Sequence, residues 1–229
     1  MLLKDIIIVL SQVSDGGNVG AVCRVMKNMG LSRLVLAAPK PMILEDIFVR
    51  SVNAWDIWEN ARIFDSLAEA VADCSIIAGT TRRRGQFRKN ISMTPRDLSA
   101  WLAQKPAGSE NGGTAAIVFG NERTGLEDTE LELCNFASHI PVSDAHPSLN
   151  LSHAVQVYAY ELFLAMEQQH PVKGEWIAMN QVEISTLIDA LPYPKREEPV
   201  RFLHDIIARA GLSLSEGKHF KDILMKAIK

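Results

Sequence analysis

Four polar segments hold the residue types and spacings that could do chemistry. The first is Ser14-Asp15-Gly16-Gly17-Asn18-Val19-Gly20, followed four residues later by Arg24. Glycines permit a tight turn, and a helix start offers unpaired N–H groups to an anion. Asn18 suits the N-cap, and Arg24, one helical turn beyond Gly20, could face the same anion; a merely well-capped turn is the plain alternative. The second is Gly79-Thr80-Thr81, leading into Arg82, Arg83, Arg84, Gly85, Gln86, Phe87, Arg88 and Lys89. Five cations within eight residues, with an aromatic among them, suit nucleic-acid phosphate better than a solvated turn. In the third, Phe119-Gly120-Asn121-Glu122-Arg123-Thr124-Gly125-Leu126, Gly120 would admit a ligand against the backbone, while Glu122 and Arg123 could form a surface ion pair. The fourth runs from Ile140-Pro141 through His146 to Ser148-Leu149-Asn150-Leu151-Ser152, where Ser148 or Asn150 can cap a following helix. Neither His146 nor His153 has a Ser/Asp or Cys partner of the kind hydrolysis needs.

These segments need a scaffold. Continuous apolar runs at Ile6 to Leu10, Leu34 to Ala38, Ser75 to Gly79, Ala115 to Phe119 and Ala137 to Ile140 read as strands buried on both faces. Helical patterns lie between them: Val19 to Met29, a weaker stretch in Leu44 to Asn60, Ser66 to Asp73, Pro95 to Gln104 and Leu126 to Cys134. The order predicts an α/β fold with a mostly parallel sheet flanked by helices, and ligands in such sheets bind beyond the carboxyl ends of the strands. All four polar segments fall there. Leu149 to Gln168 reads as one long helix with Leu151, Val155, Tyr158, Leu162 and Ala165 on a stripe. His170 to Gly174 marks a boundary, giving a domain over 1–169 and a helical extension over 175–229 with helices at Val182 to Leu191, Val200 to Ala210 and Lys218 to Ile228.

The 229 residues are 47% hydrophobic and 22% charged, which excludes intrinsic disorder. No apolar run is long enough to span a membrane, and the three scattered cysteines suit reduced thiols, so a cytoplasmic protein without membrane association is expected. The six His show no ligand spacing, and no metal is expected. A formal net charge of −3 excludes a globally basic nucleic-acid coat but not a local basic patch.

Asn18-x-Gly20-x-x-x-Arg24, then Phe119-Gly120-Asn121-Glu122-x-x-Gly125-Leu126, then Ile140-Pro141 with Ser148-Leu149-Asn150-Leu151-Ser152, resemble the three motifs of the SPOUT class of RNA 2'-O-ribose methyltransferases (SpoU, or TrmH, family). The start of the chain, the Gly79-Thr80-Thr81-Arg82-Arg83-Arg84 segment and the helical extension are similar to the TrmJ branch, which modifies the tRNA anticodon loop. The resemblance covers residues 1 to about 166. It implies a C-terminal trefoil knot, a homodimer, S-adenosylmethionine as cofactor, and an RNA rather than a DNA substrate, namely tRNA methylated at a position-32-type ribose, with rRNA as the alternative. It also implies a cofactor cradle of backbone around Thr80, Gly120, Ile140 and Leu149, catalytic-motif positions at Arg24, Asn18, Glu122, Ser148 and Asn150, and RNA contacts from Arg82, Arg83, Arg84, Arg88 and Lys89. The family is often assigned an Arg as base. A guanidinium is essentially always charged, so Arg24 reads better as a bidentate clamp on a phosphate, with phosphate, water or a transiently neutral Arg left open as the proton acceptor.

Two rivals remain. A non-catalytic RNA-binding protein on this fold would not need the cofactor motifs. A nicotinamide-dependent oxidoreductase would need G-x-G-x-x-G and an acidic residue closing the second strand, where Ala37-Ala38-Pro39-Lys40 stands. Val157, Tyr160 and Phe163 lie off the apolar stripe of the long helix, a further reason to expect a dimer.

Overall fold

A computed structural model describes residues 1–81, 92–105, 113–145, 148–167, 188, 190, 203 and 214–227. The chain alternates strand and helix. β1 (Ile6–Ser11) leads to α1 (Gly16–Asn28), β2 (Arg33–Ala37), α2 (Leu44–Ser51), α3 (Trp55–Glu59), β3 (Arg62–Phe64) and α4 (Leu67–Ala70). β4 (Cys74–Thr80), β5 (Ser92–Met93), α5 (Pro95–Ala103), β6 (Thr114–Phe119), α6 (Asp128–Glu132), β7 (Phe136–Ser138) and α7 (Leu151–Glu167) follow, and α8 spans Leu214–Ala227. The expected helices over 182–191 and 200–210 lie outside the described residues, apart from isolated positions.

The strands form one sheet of order β3-β2-β1-β6-β4-β7-β5, and every pairing is parallel. The apolar runs are continuous because both faces are covered. Ile6, Ile8, Leu10, Ile117 and Phe119 share one core with Val19, Leu98 and Val155, while Ile7, Val9, Ala116 and Val118 share the other with Leu67 and Leu131.

Three expectations change. The weak helical stretch over 44–60 divides into α2 and α3 around Val52, whose φ of 53° interrupts the helix. The last predicted strand ends at Ser138 rather than Ile140, since its outer neighbour β5 is only two residues long. The long helix begins at Leu151, two residues later than expected, because Asn150 caps it: Asn150 Oδ1 accepts from Ser152 N at 2.9 Å and from Ser152 Oγ at 2.7 Å.

Candidate functional site

The carboxyl ends of β1, β6, β4 and β7 gather the polar segments at one rim. There Glu122, Asn18 and Asn150 form a chain of hydrogen bonds whose direction the carboxylate dictates. A carboxylate only accepts, so Asn18 turns its Nδ2 toward Glu122 Oε1 (3.3 Å), which leaves Asn18 Oδ1 to accept from Asn150 Nδ2 (2.9 Å). Asn150 Oδ1 is then aimed at the start of α7, which it caps. Ser14 Oγ donates to the other carboxylate oxygen at 3.3 Å. Three segments, the first more than a hundred residues from the other two, thus lock one another's side chains, and Glu122 serves this network rather than a pair with Arg123.

Asn18 can play this part because it is not the cap of α1. Asp15 is: its Oδ1 accepts from Asn18 N at 2.9 Å. Asn18 lies inside the first turn, so its backbone is the capped group and its side chain is free to reach outward.

The glycines also serve ends other than those expected. A β-carbon on Gly16 would stand 2.7 Å from the Ile43 carbonyl oxygen, and one on Gly20 2.3 Å from that of Ile47. They let α2 pack against α1, and ligand approach is not what demands them. A β-carbon on Gly120 would lie 2.2 Å from Gly125 C and Leu126 N, so Gly120 lets its own loop close, and Gly125 takes φ +71° at the bend. Asn121 holds that loop: its Oδ1 accepts from Arg123 N at 2.9 Å, and its Nδ2 donates to the Gln12 carbonyl at 2.7 Å.

Beside the network lies a cavity of about 190 Å³. Thr80, Gly120, Ile140 and Leu149 line it, as do Glu122 and Ser148. Its apolar wall includes Phe119, Leu126, Leu151 and Tyr158, and its polar side Thr81, Asn121 and Ser138. Apolar surface for a ring beside hydroxyl, amide and carboxylate groups fits S-adenosylmethionine, which joins an adenine to a ribose and a charged amino-acid tail.

Arg24 stands apart: it is exposed and does not line the cavity. The basic residues Arg82, Arg83, Arg84, Arg88 and Lys89 lie outside the described residues. What precedes and follows them is pinned to one point, with Thr81 N donating to the Ser138 carbonyl (2.9 Å) and Ser138 Oγ to the Met93 carbonyl (2.8 Å).

Sequence reasoning missed the buried Glu130, and it placed Tyr158 on the apolar stripe without foreseeing its hydrogen bond. Glu130, 8% exposed, accepts from Ser11 Oγ, from Gln12 Nε2 at 3.3 Å and from Glu127 N at 2.8 Å, tying the end of β1 to α6. Tyr158 packs edge-on to Phe119 with ring centroids 5.3 Å apart, and its hydroxyl donates to Ser138 Oγ at 2.8 Å. Burial pushes its phenol well above the ordinary tyrosine range. The only signal for Glu130 was an acidic residue three positions after Glu127, ordinary for a helix start.

Residues 5–160 match the SpoU rRNA Methylase family. The tRNA (cytidine/uridine/adenosine-2'-O-)-methyltransferase TrmJ of Pseudomonas aeruginosa is 39% identical over 176 residues, 76% of this chain and 67% of its own length. The crystal structure of TrmJ from Z. mobilis ZM4 superimposes with a TM-score of 0.70 at 27% identity, covering 97% of this chain and 99% of that one. The SpoU methyltransferase AviRb from Streptomyces viridochromogenes, solved with the cofactor AdoMet, shares the fold at 19% identity with a TM-score of 0.55, over 72% of this chain and 62% of that one.

Proposed function

This chain belongs to the SpoU rRNA Methylase family, and from that premise we propose that it transfers a methyl group from S-adenosylmethionine to a ribose 2'-hydroxyl in the anticodon loop of tRNA. The observation that carries the reading is the Glu122–Asn18–Asn150 network on the rim of a cavity suited to the cofactor.

The cofactor, when bound, supplies an electrophilic methyl on a sulfonium. The protein must then hold the ribose oxygen in line at about 3 to 3.5 Å from the methyl carbon. Thr80, Gly120, Ile140 and Leu149, which line the cavity, would hold the cofactor. Asn18, Glu122 and Asn150, fixed before substrate arrives, set the shape of the rim, and Ser148 faces the cavity as a hydroxyl for orienting substrate. Arg24 clamps the phosphate beside the target ribose and offsets the negative charge that builds as the hydroxyl loses its proton. Arg82, Arg83, Arg84, Arg88 and Lys89 contact phosphates without reading sequence.

The same reading includes a trefoil knot, a homodimer, a cytoplasmic location and a division into a catalytic unit over 1–169 and an extension over 175–229. The exposed Tyr160 on α7, at 49%, supports a partner surface there, and among the described residues no helix is long and apolar enough to cross a membrane. Sedimentation should give a dimer at micromolar concentration. Removing 175–229 should weaken tRNA binding or dimerisation more than cofactor binding.

The test is methylation of tRNA and rRNA transcripts with labelled S-adenosylmethionine, followed by mapping of 2'-O-methyl positions. Label on an anticodon-loop ribose is expected. Label confined to rRNA would overturn the tRNA assignment, and cofactor binding without transfer to either RNA would overturn the enzymatic one.

A further inference from the structure

α1 and α2 bring two arginines together over a face that has no side chains of its own. Arg50, near the end of α2, has its Cβ 2.8 Å from where a β-carbon on Gly20 would stand and its Cγ 3.7 Å from the corresponding point on Gly17. Its side chain therefore runs along α1 from Gly20 toward Gly17, toward the helix end that bears Asn18. Arg24 lies one turn beyond Gly20 on the same face, and helical side chains lean toward the N-terminus over the preceding turn. Arg50 thus crosses Gly20, and Arg24 is rooted one turn beyond it on the same helix.

Neither arm is neutralised. Both residues are exposed, and neither makes a hydrogen bond or ion pair with another described residue. Among the neighbouring acids, Asp15 caps α1 through Asn18 N, Glu122 accepts from Asn18 and Ser14, and Asp56 holds Lys27 at 2.6 Å, while Asp46, one turn before Arg50 on α2 with its Cβ 3.2 Å from where a β-carbon on Gly16 would stand, makes no ion pair with either arginine. Two unpaired cations rooted beside one strip are favoured together only when an anion offsets their repulsion. Two planar forks, each able to donate twice, match the oxygens of a phosphodiester.

We propose that Arg50 is a second phosphate-binding residue, closing with Arg24 on one phosphodiester of the RNA substrate. The inference rests on the tRNA-methylating reading above and adds to it a residue outside the sequence motifs. Gly20 belongs to the device, since only a residue without a side chain leaves the strip open for Arg50 to cross.

The test uses the full chain and a tRNA transcript. Arg50→Gln keeps the carbons that lie on Gly20 and removes the charge, and thermal melting of the variant checks that it folds. Arg50→Gln should raise the KM for tRNA about tenfold and lower the slope of log affinity against log salt by less than the roughly 0.7 to 0.9 of one phosphate contact, because Arg24 still holds that phosphate. Affinity for S-adenosylmethionine should stay within about twofold of wild type. Arg50→Lys should keep most of the slope while losing part of the affinity, because it retains charge without the fork. In the double variant Arg24→Ala/Arg50→Gln the slope should fall by about 0.7 to 0.9 in all, the value of one phosphate contact, since one phosphate is shared. An unchanged KM for tRNA in Arg50→Gln, or a double variant losing two contacts, overturns the shared clamp while wild-type methylation of tRNA leaves the function intact. A wild-type protein inactive on tRNA overturns both.

Discussion

The Glu122–Asn18–Asn150 network and the Arg24–Arg50 pair both lie along α1 and are built on opposite principles. In the network each polar atom has a partner, so its geometry is complete before any ligand arrives. In the pair neither guanidinium has a partner among the described residues, and the geometry is complete only with an anion. A preorganised element stabilises the fold as well as the reaction, whereas an element awaiting its ligand adds nothing to the fold and all of its contribution to binding.

Arg24 should break this comparison most visibly if it is wrong. Arg24→Ala is expected to cut single-turnover methylation about 100-fold or more, with unfolding temperature and cofactor affinity close to wild type. A comparable loss of stability would place Arg24 with the structural network instead.

Asn150→Ala should behave in the opposite way. It removes the cap of α7 and the last link to Asn18, so urea unfolding should show a loss of about 1 to 2 kcal/mol alongside reduced turnover. Full stability in this variant would mean the network forms only with ligand.

The buried thiols give an effect confined to alkaline pH, with none at the pH of the assays above. Burial pushes the Cys23 thiol up to about 12 and raises that of Cys74 as well. Thiols whose folded pKa lies above the unfolded value hold their full contribution below the unfolded pKa, near pH 9, and lose it as pH rises toward 12. Stability should therefore decline with pH across that window through Cys23, at up to about 1.4 kcal/mol per pH unit, with Cys74 acting in the same direction. Replacing Cys23 with Ala should flatten the decline.

Tyr158→Phe sharpens the comparison at its lower end. The change leaves Ser138 Oγ bonded to the Met93 carbonyl, so a loss of about 1 kcal/mol is expected, without the rate penalty of Arg24→Ala.

The sequence made parts of this arrangement readable and hid others for physical reasons. β1, β2, β4 and β6 were visible because burial on both faces demands unbroken apolar runs. β3 and β5 were not, since three residues at one edge and two at the other, with Arg62, Ile63 and Ser92 exposed, leave no such run. Asn18, Glu122 and Asn150 could be picked out through family resemblance, but not their mutual bonding, which depends on strands far apart in the chain. Gly20 shows the limit most clearly. A glycine that admits a ligand and one that admits a neighbouring helix look identical in sequence, and only the Ile47 carbonyl 2.3 Å from the missing β-carbon tells them apart.

The strand order also sets a timetable for synthesis. β1 lies in the middle of the sheet, yet its partner β6 pairs Ile6 with Ala115, more than a hundred residues later. As the chain leaves the ribosome, β1, β2 and β3 can assemble early, but one flank of β1 must wait, with its N–H and C=O groups unpaired, until residue 119 is free. Such distant pairings slow folding, and an open flank on an apolar strand invites pairing with another nascent chain. Yield of this protein should therefore depend on translation speed and on chaperones more steeply than its finished stability would suggest.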